Sequence, residues 1–400
     1  MSVVPLPPVL APGFAELLQG GAPVGLAVSG GGDSIALLHL AAAIGGRINV
    51  ASVDHGLRAD SAAECAMVAN ICVGYGLPHQ TVKWTGWDRR GNLQDHARRA
   101  RYGLLADWAR GAGLADIALG HTADDQAETV VMALARGAGV DGLAGMAAVT
   151  CRDGLRYHRP LLQVTRAALR AYLVATGRVW CDDPSNDDPG YERIRIRQAV
   201  DTLAELGLTS QTLGQVAQHM ATAAAALDRG TADLAAAVMM QQGGDVLITL
   251  TLRDLSREQA RRLVLAAMER VHRRMTPPRK DEQQRLMQSL LHGQGVTLGG
   301  CLMTFDGPVL RISREPQAVA QLATPTTALW DARWQLSGPH APDLQLRALG
   351  AGIDLCCDWR ASGLPRRSLQ ATPAVWRDQT LVSAPLAGFG RDWSAQIVAD

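Results

Sequence analysis

The chain contains almost no lysine, and its cysteines lack the spacing of a metal-binding or redox motif. Its lysines are Lys83 and Lys280, and neither follows a glycine, which excludes the Gly-Lys-[Ser/Thr] element of a Walker A loop. The seven cysteines form no C-x-x-C pair, so we expect no zinc ribbon, redox pair or disulfide framework. Apolar runs of about eighteen residues and a basic N-terminal segment are also missing, so we predict a cytoplasmic protein without a membrane span or signal peptide.

Neither sign of charge dominates the composition. The 39 Lys and Arg residues nearly balance the 38 Asp and Glu residues, which leaves a formal net charge of +1. A nucleic acid would therefore have to bind a local basic face, because the overall field would not attract it. With 400 residues and 47% hydrophobic residues, the chain can bury a full core and form more than one domain.

The sequence does contain a glycine-rich turn between a strand and a helix. Val24 to Leu38 has the sequence VGLAVSGGGDSIALL, whose aliphatic start predicts a buried strand, followed by a turn and the start of a helix. Successive glycines let backbone N–H groups approach a phosphate, and a helix N-terminus favours an anion. A carboxylate beside a phosphate raises the energy unless a divalent cation lies between them or charge moves during a reaction, so Asp33 is the residue that needs an explanation. The candidate phosphate ligands of this turn, called the glycine loop below, are Ser29, Gly30, Gly31, Gly32, Asp33 and Ser34.

Three other interpretations of the glycine loop stay open from the residues alone. A dinucleotide-binding fingerprint, G-x-G-x-x-G, fits poorly because Asp33 and Ser34 directly follow the three glycines. A hydrolase nucleophile elbow would use Ser29 as its nucleophile, but this interpretation gives Asp33 no role. The third interpretation is a glycine-rich turn that binds no ligand.

Strands and helices alternate through the first half of the chain. Three further strands are predicted at Ile48 to Val53, His79 to Trp84 and Asp116 to Gly120, and stretches with helical periodicity separate them. This alternation predicts an α/β fold with a doubly wound parallel sheet, in which ligands bind at the carboxyl ends of the strands. The glycine loop, residues 54–58 and residues 121–125 all follow predicted strands. We therefore expect these three polar segments to converge on one crevice.

Each polar residue after the fourth strand has a structural explanation when it is taken alone. A structural histidine explains His121 as well as a functional one does, and a helix start explains Asp124 and Asp125 equally well. Thr122 and Asp125 have the spacing of a capping box. Their joint occurrence with Asp33 at one predicted crevice favours a functional site.

Basic residues are concentrated on two predicted helices and in one longer stretch of the chain. The helix after the third strand carries Arg98 and Arg101 on one face. Arg193 and Arg197 share the face of a later helix, for which a phosphate contact and a solvated surface are equally good explanations. Between Arg257 and Arg285, nine Lys or Arg residues stand against four Asp or Glu residues, which suits an RNA backbone. The candidate RNA contacts are Arg193, Arg197, Arg273, Arg274, Arg279 and Lys280.

The glycine loop resembles the SGGxDS motif of the N-type ATP pyrophosphatases, which cleave ATP between its α- and β-phosphates. Within this PP-loop superfamily, the chain resembles the tRNA(Ile)-lysidine synthetase family over roughly residues 24–200. Many members of that family carry a second histidine at the position of Thr122. The motifs that carry the resemblance are, in order, VDHGLR (Val53–Arg58), QDHARRARY (Gln94–Tyr102), LGHTADDQAET (Leu119–Thr129), RGAG (Arg136–Gly139), RPLL (Arg159–Leu162) and DPSN (Asp183–Asn186).

The resemblance implies a ligase that uses ATP and Mg²⁺ to join free lysine to C2 of the wobble cytidine in the isoleucine tRNA with a CAU anticodon. The C2 oxygen is first adenylated with release of pyrophosphate, and the lysine ε-amine then displaces AMP. Asp33 would hold Mg²⁺, Asp125 would be the base for lysine, and His121 would lie beside the α-phosphate. Arg98 and Arg101 would stabilise phosphoryl charge. The further residues implied to bind ATP are Val53, Asp54, His55, Arg58 and Gly120.

Composition and resemblance together predict three domains. Residues 1–205 form the PP-loop ATP pyrophosphatase catalytic domain, residues 206–294 a helical, basic domain that binds tRNA, and residues 295–400 a small β-rich domain. One alternative function is a thiolating PP-loop enzyme, which normally needs the C-x-x-C pairs that this sequence lacks. Another is a non-catalytic tRNA-binding module, which could lose Asp33 or Asp125 although both are present. The sequence leaves the question of a homodimer open.

Overall fold

The computed structural model describes residues 8–56, 61–85, 93–182 and 192–398. The chain divides into two compact units, Met1–Ala225 and Ala226–Asp400. The three predicted domains, with boundaries at 205/206 and 294/295, stay a prediction. Among the described residues, every helix is too short or too polar to cross a lipid bilayer.

The first unit is built on a six-stranded sheet. Its strand order is β3-β2-β1-β4-β6-β5, and every neighbouring pair is parallel except β5 with β6. The strands are β1 (Val24–Ala27), β2 (Ile48–Asp54), β3 (His79–Lys83), β4 (Asp116–Leu119), β5 (Val149–Arg152) and β6 (Leu155–His158). The strand order reverses direction between β1 and β4, which is the position where doubly wound sheets bind ligands.

Nine helices within the described residues accompany this sheet. They are α1 (Pro12–Gln19), α2 (Gly32–Ile44), α3 (Ser61–Tyr75), α4 (Leu93–Gly111), α5 (Ala123–Ala135), α6 (Val140–Leu143), α7 (Arg166–Ala175), α8 (Glu192–Ala204) and α9 (Ser210–Val238). The residue range of α9 includes the division between the two units.

Both faces of the sheet are covered, because successive side chains of a strand point to opposite sides. Leu26 of β1 belongs to one buried cluster, together with Ile35 of α2 and Leu169 of α7. The next residue, Ala27, belongs to a second cluster with Trp108 of α4. The predicted α/β fold with a doubly wound parallel sheet is therefore confirmed.

The second unit combines helices with antiparallel sheets. A five-stranded sheet has the order β7-β8-β11-β10-β9, and its strands come from both sides of residue 295. Its strands are β7 (Met239–Gln242), β8 (Asp245–Ile248), β9 (Val296–Leu298), β10 (Cys301–Asp306) and β11 (Val309–Arg314). It packs against α10 (Arg257–Val271) and α11 (Lys280–Leu291) through one apolar core.

The remainder of the second unit is rich in short strands. It forms a four-stranded sheet, β12-β14-β15-β16, and a two-stranded sheet, β13-β17, all antiparallel. The elements are α12 (Pro316–Val319), β12 (Ala323–Pro325), β13 (Trp334–Ser337), β14 (Gln345–Ala348), α13 (Arg366–Gln370), β15 (Pro373–Arg377), β16 (Thr380–Ser383) and β17 (Ser394–Ile397). The predicted helical segment and the predicted β-rich C-terminal region are thus both present.

Candidate active site

The glycine loop joins β1 to the N-terminus of α2. Hydrogen bonds of the Ser34 hydroxyl within the loop fix its conformation. The Ser34 hydroxyl donates to the carbonyl oxygen of Gly31 at 2.8 Å and accepts the N–H of Ser29 at 3.1 Å. Gly30 has a φ of 96°, a conformation that L side chains rarely adopt. The Ser34 hydroxyl, predicted as a phosphate donor, is therefore engaged within the loop. Of the two serines, Ser29 is the exposed one.

Gly120 places the end of β4 directly against the glycine loop. A Cβ atom at Gly120 would lie 3.1 Å from the Cα atom of Ser34, which is closer than most side chains tolerate. The segment that follows β4 can approach the loop this closely because Gly120 has no side chain. Gly120 therefore brings the polar residues after β4 up to the glycine loop.

One arginine links the glycine loop to the N-terminal end of α5. The Nε atom of Arg166 lies 3.2 Å from Oδ2 of Asp33, and its Nη2 atom lies 3.4 Å from Oδ1 of Asp125. The same Nη2 atom lies 3.7 Å from Oε1 of Glu128, a side chain with only 1% exposure. The three carboxylates therefore surround one guanidinium group.

Capping interactions hold this cluster in place. Thr122 caps α5: its side chain accepts the N–H of Asp125, and Oδ2 of Asp125 accepts the N–H of Thr122 at 2.8 Å. Asp124 accepts the N–H of Arg166 at 2.6 Å and so ties α5 to the start of α7. The predicted capping box is confirmed, and the geometry supports a structural role for Asp124.

Arg197, a predicted RNA contact, lies in the same cluster. Its Nε atom is 3.0 Å from Oε1 of Glu128. Glu128 therefore meets a guanidinium from α7 and another from α8. The side chain of Arg193 lies outside the described residues, so the structure does not address its predicted contact.

Burial and neighbouring charges compete at Asp33. Burial raises the pKa of the Asp33 carboxyl above its ordinary value, although Arg166 acts in the opposite direction; the neighbouring Asp125 raises the pKa further. Oδ1 of Asp33 is buried and has no hydrogen-bond partner among the described residues. A buried carboxylate oxygen without a partner is costly unless a cation or donor reaches it.

This orphaned oxygen fits a divalent cation that is shared with a nucleotide. Among the described residues, no three His, Cys, Asp or Glu side chains are grouped so that they could hold a metal ion. Mg²⁺ commonly takes only one or two protein carboxylates and completes its shell with phosphate oxygens and water. Asp33 therefore suits a cation that arrives with the phosphates.

A cavity of about 250 Å³ is lined by His121, which directly precedes the Thr122 cap of α5. Its lining brings together residues from the end of β2, from α4 and from the segment after β4: His55, Ala97, Arg98, Arg101, Tyr102, Leu105, Leu119 and His121. Burial lowers the pKa of the Arg101 guanidinium, and burial together with the charge of Arg101 lowers the pKa of His55. The guanidinium of Arg98 lies 5.7 Å from the centre of the Tyr102 ring. The cavity therefore brings an exposed arginine, Arg98, and a more buried one, Arg101, to the same space, which favours an anionic ligand.

The other predicted ATP ligands after β2 are only partly described. Oδ1 of Asp54 accepts the Ser61 hydroxyl at 2.6 Å and the Gly56 N–H at 2.9 Å, and these bonds hold the Asp54 pKa below its ordinary value. Asp54 thus shapes the turn after β2, and Val53 packs against the core beside α4. Arg58 lies outside the described residues.

The predicted RNA contacts of the second unit differ in exposure. Arg274, Arg279 and Lys280 are exposed near the start of α11. Arg273 is half-buried and donates to the carbonyl oxygen of Val398 at 2.5 Å. Arg273 therefore also binds the backbone directly after β17.

Sequence reasoning did not identify the arginine at the centre of the site. Arg166 is absent from the predicted site residues, because nothing in the local sequence indicates its carboxylate partners. Glu128 could have been found, since it follows Asp125 by three residues and such residues share a helix face. The roles of all these residues stay predictions.

Comparison with known proteins identifies the family. A model of the PP-loop domain matches residues 12–203. A tRNA(Ile)-lysidine synthase of Ruegeria pomeroyi is 50% identical over 380 residues, which cover 94% of this chain and 91% of that protein. The chain belongs to the tRNA(Ile)-lysidine synthase family. The predicted resemblance is thereby confirmed.

Two further tRNA(Ile)-lysidine synthases match most of their own length. That of Methylobacterium nodulans is 39% identical over 305 residues, covering 73% of this chain and 90% of that protein. That of Novosphingobium aromaticivorans is 40% identical over 300 residues, covering 73% of this chain and 89% of that protein. As a member of the tRNA(Ile)-lysidine synthase family, the chain is a ligase that forms a carbon–nitrogen bond, and its PP-loop domain implies the use of ATP.

Proposed function

We propose that the chain joins free lysine to C2 of the wobble cytidine in an isoleucine tRNA with a CAU anticodon. ATP would activate the cytidine as an adenylate, and AMP and pyrophosphate would be released. The observation that carries this proposal is the shared arginine: Arg166 contacts Asp33 of the glycine loop and Asp125 of α5. Two carboxylates held by one side chain are close enough to serve one nucleotide.

In the first step, the C2 oxygen of the cytidine attacks the α-phosphorus of ATP. A new phosphorus–oxygen bond forms, and the bond between the α-phosphorus and the bridging oxygen breaks with release of pyrophosphate. The glycine loop and the N-terminus of α2 would bind the departing phosphates through backbone N–H groups. Asp33 would hold Mg²⁺ through its orphaned Oδ1 atom, and this ion supplies positive charge to the leaving pyrophosphate.

The arginines of the cavity suit the charge that builds up around the α-phosphate. Arg98 and Arg101 come from one face of α4, and His121 lines the same space from the end of β4. A desolvated guanidinium stabilises phosphoryl charge more strongly than a solvated one does, because water does not screen it. His55 lines this cavity from the end of β2, so the nucleoside of ATP would lie between β2 and α4.

In the second step, the ε-amine of lysine attacks C2 of the adenylated cytidine. A carbon–nitrogen bond forms, and AMP leaves with the oxygen that was bound to C2. The lysine must first lose a proton, and Asp125 is our candidate base. Its Oδ2 atom is fixed by the capping box, whereas Oδ1 faces Arg166. If Arg166 turned towards the phosphates, Oδ1 would become available to accept the proton.

Recognition of the tRNA would involve the basic part of the second unit. Arg274, Arg279 and Lys280 are exposed there, as phosphate contacts require. The restriction to a CAU anticodon and the use of free lysine are part of the proposal. The cytoplasmic location stays a prediction, and the existence of a homodimer stays open.

Transfer of radiolabelled lysine to tRNA tests the proposal. The purified chain is incubated with labelled lysine, ATP, Mg²⁺ and an unmodified isoleucine tRNA transcript with a CAU anticodon. We expect label in the tRNA only when ATP is present, together with equal amounts of AMP and pyrophosphate. A transcript with a UAU anticodon is the control and should remain unlabelled. Absence of labelled tRNA in the complete reaction would reject the proposed function.

A further inference from the structure

Arg170 occupies an unusual position on top of the glycine loop. It follows Arg166 by one turn of α7, so the two side chains share a helix face. A Cβ atom built on Gly32 would lie 2.8 Å from Nε and 2.9 Å from Cζ of Arg170. The guanidinium therefore fills the space that a side chain at position 32 would need, directly at the first residue of α2.

This position is electrostatically unfavourable for a cation. The N-terminus of a helix carries roughly half a positive charge, and cations are favoured at the opposite end. Arg166 adds a second guanidinium near the same pole. The carboxylate of Asp33 offsets part of this positive charge, and the charge that remains at the two guanidinium groups and the helix end favours a further anion such as phosphate.

Two side chains hold the Arg170 guanidinium in this place. The Trp180 ring lies under it, with 4.8 Å between Cζ and the ring centre, and Oδ1 of Asp182 lies 2.6 Å from Nη1. The Arg170 side chain is 33% exposed and that of Asp182 is 71% exposed. Arg170 is thus oriented by its neighbours and is still accessible to a ligand.

We propose that Arg170 binds the pyrophosphate end of ATP, that the Trp180 ring orients its guanidinium for this contact, and that the phosphates replace Asp182 as its anionic partner. The inference rests on the proposed function, because it assumes that the glycine loop receives the outer phosphates of ATP. A guanidinium offers a planar fork of donors that matches phosphate oxygens. Arg170 adds a cation to a loop whose Ser34 hydroxyl is engaged internally.

A purely structural role for Arg170 would predict a different pattern of effects. The N–H of Cys181 donates to the carbonyl oxygen of Gly30 at 3.0 Å, so residues 180–182 lie against the glycine loop. If Arg170 only fastened this segment, loss of either Arg170 or Asp182 would break the same ion pair and have the same effect. If Arg170 binds phosphate, Asp182 is a competing anion, and its loss should not weaken the binding of pyrophosphate.

Calorimetric titration with inorganic pyrophosphate and Mg²⁺ separates these two roles. The full chain is used without tRNA or lysine, and Arg170→Ala, Asp182→Asn and Arg178→Ala are compared with the unaltered chain. Arg178 is the matched control, because its guanidinium also stacks on an aromatic ring, that of Tyr75, at 5.9 Å. We expect Arg170→Ala to raise the Kd of pyrophosphate about tenfold or more. Asp182→Asn should leave the Kd of pyrophosphate unchanged or lower it, and Arg178→Ala should leave it unchanged. Equal weakening by Arg170→Ala and Asp182→Asn, or no weakening by Arg170→Ala, would overturn the inference.

Arg170→Lys tests whether Arg170 binds pyrophosphate if Arg170→Ala does not fold. Lysine keeps a positive charge for Asp182 but lacks the fork of donors, so we expect pyrophosphate binding to weaken about threefold. An unchanged affinity would overturn the inference. If the unaltered chain binds pyrophosphate but transfers no lysine, the proposed function fails while the contact of Arg170 stands. If lysine transfer is normal and Arg170→Ala binds pyrophosphate normally, the inference about Arg170 alone fails.

Discussion

The Nε atom of Arg166 lies 3.2 Å from Oδ2 of Asp33, although 133 residues separate the two along the chain. The guanidinium of Arg166 also faces Asp125 and the buried Glu128. Burial acts to lower the pKa of this guanidinium, but the surrounding carboxylates raise it above its ordinary value. Arg166 is therefore the cation that lets three acidic side chains share one site.

Replacement of Arg166 by alanine should lower both stability and activity. The change leaves the three carboxylates close together without their shared cation. We expect a loss of about 2 kcal/mol in the free energy of unfolding in urea, together with loss of lysine transfer. Arg110→Ala is the control, because its ion pair with Asp107 is exposed and should contribute about 0.5 kcal/mol or less. Equal effects of the two substitutions would contradict the role of Arg166.

Arg101→Met should separate activity from stability. Arg101 forms no ion pair among the described residues, and burial lowers the pKa of its guanidinium. Removing a desolvated charge should leave the thermal unfolding temperature unchanged or raise it. The rate of adenylation should fall about 100-fold, because the α-phosphate loses a cation. Arg99→Met, an exposed neighbour on α4 that does not line the cavity, should have normal activity. A fully active Arg101→Met chain would refute the catalytic role.

His39 should make the first unit sensitive to acid. The ring is 3% exposed, its Nδ1 atom lies 2.8 Å from the Tyr75 hydroxyl, and burial lowers its pKa to about 4. Because this folded-state pKa is below the ordinary value of 6.5, the unfolded chain takes up the proton first. The stabilising contribution is therefore complete above about pH 6.5 and is lost as the pH falls towards 4, up to about 3 kcal/mol in total.

Urea unfolding of the unaltered chain and of His39→Gln at pH 7.5, 5.5 and 4.5 measures this contribution. The glutamine variant does not titrate, so the stability of the unaltered chain should fall relative to it as the pH decreases. Parallel pH profiles would show that His39 does not contribute to acid sensitivity.

The basic segment before α11 should give tRNA binding part of its salt dependence. Each phosphate neutralised by a basic side chain adds about 0.7 to 0.9 to the slope of log affinity against log salt. We expect the double substitution Arg274→Ala with Arg279→Ala to reduce this slope by about 1.5. Arg273 is left intact, because its contact with Val398 would confound the measurement. An unchanged slope, as expected for the Arg110→Ala control, would exclude this segment as a phosphate contact.

The parts of the fold that could be predicted are those encoded locally. Local patterns with glycine turns predicted four of the five parallel strands, and the capping box of Thr122 and Asp125 predicted the start of α5. The hairpin of β5 and β6 was not predicted, because its first strand is short, polar and largely exposed. The five-stranded sheet also escaped prediction, since β8 pairs with β11 across more than 60 residues of intervening chain.

The candidate site shows the same division between local and long-range information. The alternation of strands and helices implied that the ends of β1, β2 and β4 would meet. Gly120, after β4, does lie against the glycine loop, and His55 and His121 line one cavity after β2 and β4. Which charges pair within the site depends on tertiary packing. Arg197 was considered as a solvated or phosphate-binding arginine, yet it pairs with the buried Glu128. No pattern near Arg197 in the sequence indicates that partner.

ATP labelled at the α-phosphate gives the most direct test of the account. In a reaction with the CAU transcript but without lysine, the unaltered chain should transfer this label to the tRNA, and added lysine should release it as labelled AMP. ATP labelled at the γ-phosphate should leave the tRNA unlabelled. Asp33→Asn should reduce the transfer about 100-fold or more with nearly unchanged tRNA affinity, whereas Asp107→Asn should not. Failure of the unaltered chain to label the tRNA, or full transfer by Asp33→Asn, would contradict the central claim.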